Sequence, residues 1–70
     1  MNYLTVREAA EICGMSDYSI REAISSGRLR SYRLGGRGRH NIKPEDLAHA
    51  LGESVKEIER RADEIKAQWG

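Results

Sequence analysis

A single cysteine among 70 residues excludes an internal disulfide, and no Cys/His cluster with zinc-ligand spacing stands in for one. A reducing cytoplasm is the expected compartment. No apolar run approaches the length needed to cross a bilayer, and the opening Met-Asn-Tyr-Leu-Thr lacks the apolar stretch of a secretory signal, so the sequence predicts a soluble protein with no membrane partner. Net charge is also scarce: +1, with a pI near 7.9, short of the basic balance of a nucleic-acid binder. A chain this short hides only about 60% of the surface its unfolded form exposes, so the core must be small.

The near-neutral total conceals segregation. Met1 to Lys43 holds eight Lys/Arg against four Asp/Glu, whereas Pro44 to Gly70 holds four against seven. Six of the cations (Arg28, Arg30, Arg33, Arg37, Arg39 and Lys43) fall in a stretch without an acidic residue, with Gly35-Gly36-Arg37-Gly38 at its centre. That pattern predicts a basic hairpin tip. The preceding residues, Thr5 to Gly27, read as two short helices joined by a tight turn. Together these features give the expected fold class: mainly α with a small β-hairpin, a winged helix-turn-helix followed by a C-terminal helix.

Thr5 with Glu8 three residues on has capping-box spacing, and Val6, Ala9, Ala10, Ile12 and Cys13 form a helical apolar stripe. Gly14 ends this first helix. Ser16 offers the next N-cap to the backbone N–H of Tyr18 or Ser19, for a helix over roughly Asp17 to Ser26 with Ile20, Ala23 and Ile24 inward and Gly27 as its left-handed cap. Tyr32 and Leu34 then share one face of a strand, with a return strand at about Arg39 to Ile42. Pro44 suits the first turn of a third helix, which Leu47, Ala50 and Leu51 would close onto the core. Ser54 and Glu57 give a second capping box, and Val55, Ile58, Ala62, Ile65 and Trp69 an a/d seam.

The ordered string Leu4-Thr-Val-Arg-Glu-Ala-Ala-Glu-Ile-Cys-Gly-Met-Ser, Ile20, Ile24, Ser26-Gly27, Leu29, Tyr32-Arg33-Leu34-Gly35-Gly36 and Pro44-Glu-Asp-Leu47 resembles the excisionase family, with its MerR-like winged helix-turn-helix domain. The resemblance implies residues 1–52 as the DNA-binding domain, residues 53–70 as an amphipathic helix packing on that domain or on a neighbouring subunit, and a bacterial host cytoplasm. It further implies a recombination directionality factor: copies bound side by side bend double-stranded DNA so that an integrase assembles the excisive complex. The recognition helix would enter the major groove and the wing the adjacent minor groove.

Carried onto this chain, the recognition set is Ser16, Asp17, Tyr18, Ser19, Arg21, Glu22 and Ser25. Arg21 is the expected base reader, since a guanidinium can take guanine N7 and O6 together; its alternative is a pair with Asp17 at the four-residue spacing. Asp17 departs from the basic or neutral residues common at its place in the family. The wing set is Gly35, Gly36, Arg37, Gly38 and Arg39, with Arg37 reaching a narrow minor groove. Arg28, Arg30, Arg33 and Lys43 are the expected phosphate contacts.

Catalysis finds no support: Cys13 reads as a small core residue, and His40 and His49 lie on different elements, so no enzyme, cofactor, metal or small-molecule substrate is expected. The seam Val55, Ile58, Ala62, Ile65 and Trp69 has two readings, a larger core or a subunit contact through which copies associate along DNA. MerR-type activators dimerise through a much longer helix and carry an effector domain, neither of which fits after Leu51. Two other readings stay open, a small MerR-like transcriptional regulator and a protein-interaction module whose basic hairpin binds an acidic partner.

Overall fold

The computed structural model of the chain describes residues 3–33 and 39–69. Among the described residues four helices follow one another, α1 (Val6–Cys13), α2 (Asp17–Ser25), α3 (Pro44–Leu51) and α4 (Val55–Trp69), with α1 packed against both α2 and α4, and α3 against α4.

Local chemistry sets each boundary. The Glu8 carboxylate accepts from the Thr5 N–H at 2.8 Å while the Thr5 hydroxyl accepts from the Glu8 N–H at 3.1 Å, so α1 starts with a complete capping box. Gly14 ends it at φ 67°, a left-handed conformation that strains a residue carrying a β-carbon, and the Met15 N–H closes onto the Ala10 carbonyl at 2.9 Å. Ser16 caps α2 by accepting from the Ser19 N–H. The helix stops one residue before the expected Ser26, with Gly27 left-handed just beyond. Pro44 opens α3, where no N–H is required of it. Ser54 accepts from the Glu57 N–H at 3.2 Å, but Arg60 takes the Glu57 carboxylate at 2.7 Å, so the second expected capping box is only half made.

The core is aliphatic throughout: Leu4, Val6, Ala9, Ala10, Ile12, Ile20, Leu29, Ile42, Leu47, Ala48, Ile58 and Ala62. Ala48 fills the place expected of Ala50, which is exposed. On a helix turning about 100° per residue, Leu47, Ala48 and Leu51 span one arc and Ala50 falls on its flank. Ile58 is fully buried and Ala62 nearly so, with Ile65 packed partly against the same cluster. These three members of the seam therefore face their own domain, whereas Val55 stays 40% exposed.

Among the described residues, the chain between α2 and α3 makes two isolated antiparallel bridges in place of the two expected strands, Tyr32 with Asn41 and Ile42 with Leu4. Tyr32 and Asn41 exchange N–H···O bonds at 2.8 Å each way, and Leu4 and Ile42 at 2.7 and 2.9 Å. Successive residues of an extended segment point their backbone groups to opposite sides, so 41 and 42 stitch the two flanking limbs to one line. Lys43 already caps α3, which leaves this line no room to lengthen at that end. The expected hairpin turn at residues 34–38, including Leu34, lies outside the described residues.

Replacing Ile58 by Ala should lower unfolding free energy by about 2–5 kcal/mol, the range for a buried aliphatic cut to Ala. Because its packing partners are in its own chain, urea denaturation should show the same loss at every protein concentration; a loss that grows on dilution would instead place Ile58 at a subunit contact.

Candidate nucleic-acid interface

Residues 14–16 carry the left-handed glycine and the serine cap, and Ile20, 2% exposed, anchors α2 to the core. Its outward residues divide between two sides. Asp17 and Arg21, one helical turn apart, look into a cleft of about 430 Å³ shared with Thr5, Val6 and Arg7 from the start of α1 and with Arg33, Arg39 and His40 from the bridged limbs. Ser19 and Glu22 border a second, more apolar groove with Cys13, Met15, Arg28 and Leu29. Tyr18, at the tip of α2, is 71% exposed, and Ser25 lies exposed at its end.

Two side chains support the limb arginines of the cleft, Arg33 and Arg39. Asn41 donates through Nδ2 to the Tyr32 and Arg39 carbonyls, both at 3.1 Å, fixing the backbone from which Arg39 departs. The His40 ring lies between Ser31, 2.9 Å from Nδ1, and the Arg33 guanidinium, 3.3 Å from Nε2. A guanidinium can only donate, so Nε2 must be the acceptor and the proton sits on Nδ1, which donates to the Ser31 hydroxyl. Burial lowers the His40 pKa from its ordinary 6.5, and the Arg33 and Arg21 charges lower it further, in keeping with that neutral tautomer.

Four guanidinium groups from three elements thus share one concavity with a single carboxylate, Asp17, among the described residues lining it. A family model described as a helix-turn-helix domain matches residues 3–54. The chain belongs to this helix-turn-helix family. No curated protein and no solved structure gives a significant match.

Of the expected contacts of the helix-turn-helix domain, the fold brings Asp17, Arg21, Arg33 and Arg39 together. Arg28 turns to the other groove, where its Nε donates to the Ser26 hydroxyl at 2.9 Å. Lys43 sets its ammonium 4.9 Å above the Tyr32 ring, whose hydroxyl donates to Asp46, and it does not line the cleft. Arg30 is exposed beyond α2. Gly35, Gly36, Arg37 and Gly38 lie outside the described residues, as does the Trp69 side chain. Ser16 and Ser19 spend their hydroxyls on each other and on the cap. Cys13 is half-buried, and burial pushes its thiol pKa up, away from nucleophilic thiolate.

Sequence reasoning missed Arg7 and Asn41. Arg7 stands outside the apolar stripe of α1, and only the approach of the limbs to that face brings it to the cleft. Asn41 carried no pattern of its own, because its two acceptors come from separate limbs.

Since His40 is held neutral, the unfolded chain takes up its proton first as pH falls. Stability should be level above about pH 6.5, decline below it, and level off again once the native imidazole is also protonated. Replacing His40 by Ala should flatten urea midpoints between about pH 7 and pH 5 relative to the parent. An equal decline in both proteins would remove His40 as the cause.

Proposed function

We propose that the chain binds and bends double-stranded DNA as an excisionase, a recombination directionality factor that directs integrase-mediated excision. The observation that carries DNA binding is the convergence of Arg21 on α2 with Arg33 and Arg39 on the limbs around one positively charged cleft. Opposing phosphates with several guanidinium groups releases counterions and gives affinity, while the exposed α2 face supplies base contacts. Arg21 reads bases from the major groove, Arg37 enters the neighbouring minor groove, and Arg33 and Arg39 hold the strand.

Two considerations support the excisionase role over an effector-sensing regulator. The family includes excisionase-like DNA-binding proteins. Furthermore, α4 commits Ile58 and Ala62 to its own core, which removes the central part of the seam that a MerR-type dimer helix would present. Copies then associate along DNA through the charged outer side of α4, where Glu59 and Asp63 are exposed, against the basic limbs of the next copy.

Gel-shift titration on tandem-site DNA from an attachment region, with circularly permuted probes, reads binding, cooperativity and bending together. Cooperative ladders with a large bend are expected. A single complex with little bend would assign a transcriptional regulator, and no shift at low salt would assign a protein-interaction module. Charge reversal at Glu59 and Asp63 should weaken multi-copy binding far more than single-copy binding, and equal losses would remove the proposed contact. Arg21→Ala should cost about 1–3 kcal/mol and relax preference at particular base pairs, whereas Arg39→Ala should weaken binding on all sequences and reduce the log-log salt slope by about one.

A further inference from the structure

A duplex separates its major and minor grooves by a sugar-phosphate backbone. A protein that places a helix in one groove and a hairpin in the next must therefore seat that backbone between them. In this chain the space between α2 and the bridged limbs is the arginine-lined cleft, and its floor is the first turn of α1, where Arg7 lies beside Val6. We propose that this floor is a backbone-phosphate seat and that Arg7, on neither the recognition helix nor the wing, is a DNA contact. The inference rests on the DNA-binding reading above.

Three features fit a phosphate. Arg7 is exposed, so its guanidinium meets an incoming strand without displacing the core. Arg33 and Arg39 reach the same concavity from the limbs, which lets one or two phosphates be held by guanidinium groups from two elements, each able to donate two parallel bonds, while Arg21 stays with the bases. The Arg33 wall is kept in position by neutral His40. Asp17 is the one opposing charge among the described lining residues, and it tempers the site without cancelling it. Such a seat carries no sequence information and fixes register, so Arg7 should contribute equally on every duplex.

The test is fluorescence anisotropy with a random-sequence duplex of about 20 base pairs, titrated between about 50 and 200 mM salt. Arg7→Gln should weaken binding several-fold and make the log-log salt slope shallower by about one, while Arg7→Lys keeps the slope. Lys56→Gln removes an equal charge from α4, which contributes no described residue to the cleft, and should leave the slope unchanged. Asp17→Asn should tighten binding several-fold. Circular dichroism melting confirms that each variant folds. If Arg7→Gln behaves like Lys56→Gln while the parent protein binds, the phosphate seat is refuted and the DNA-binding reading survives. If the parent binds no duplex even at low salt, the DNA-binding reading falls and the seat falls with it.

Discussion

The pairing of Leu4 with Ile42 is the constraint on which the rest of the architecture depends. Both side chains are 1% exposed or less, and their backbones exchange two short hydrogen bonds. Thr5, Val6 and Arg7 follow Leu4 directly; Asn41, His40 and Arg39 precede Ile42 directly. One buried pair therefore fixes the start of α1 against the limb that brings Arg39 and His40 to the cleft. Asn41 then passes the register on to Tyr32, and so to Arg33. A bridge of this length is marginal in water by itself. It persists because two aliphatic side chains are desolvated at the same point, so hydrophobic burial holds a polar contact in place.

The core that does this contains no aromatic residue and, among the described residues, no buried polar or charged side chain. Tyr3 and Tyr32 meet at the periphery, rings 6.1 Å apart, with the Lys43 ammonium above the second. Lys43 thus serves the junction between limb and α3 through a cation–π contact. A small aliphatic core leaves stability at a few kcal/mol for a domain of this size. The caps matter in proportion, since each contributes on the order of 1 kcal/mol.

What the sequence made legible was local. Thr5 with Glu8, Ser16 before Asp17, Gly14 and Pro44 each act within a few residues of themselves, and each boundary they imply is close to the observed one. The segregation of charge pointed to the limbs for the same reason. Contacts across elements were another matter. Nothing near Arg7 marks it as a neighbour of Arg21 and Arg33, because that proximity is produced by Leu4 and Ile42. The choice of Ala48 over Ala50 depends on the rotation of α3 against α4, which periodicity leaves open by about one residue. The Ser54/Glu57 box failed on competition: Arg60, three residues on, offers the Glu57 carboxylate two donors where the cap offers one N–H, and it holds that carboxyl below its usual range.

Cations of the chain's second half meet carboxylates close by: Arg60 lies between Glu57 and Glu64, Arg61 pairs with Glu53 at 2.8 Å, and Lys66 approaches Glu8 at 4.0 Å. The exposed Arg60 pairs add little stability, yet they confine the fields of both partners. The cleft gathers four guanidinium groups around one carboxylate among the described residues, so the local charge there is positive. Helix α1 marks the divide. Its adjacent residues Arg7 and Glu8 are separated by about 100° of helical turn, which sends the cation to the cleft and the carboxylate to the cap and Lys66. A total that sums both sides to +1 describes neither, and it is the local field that an approaching phosphate meets first.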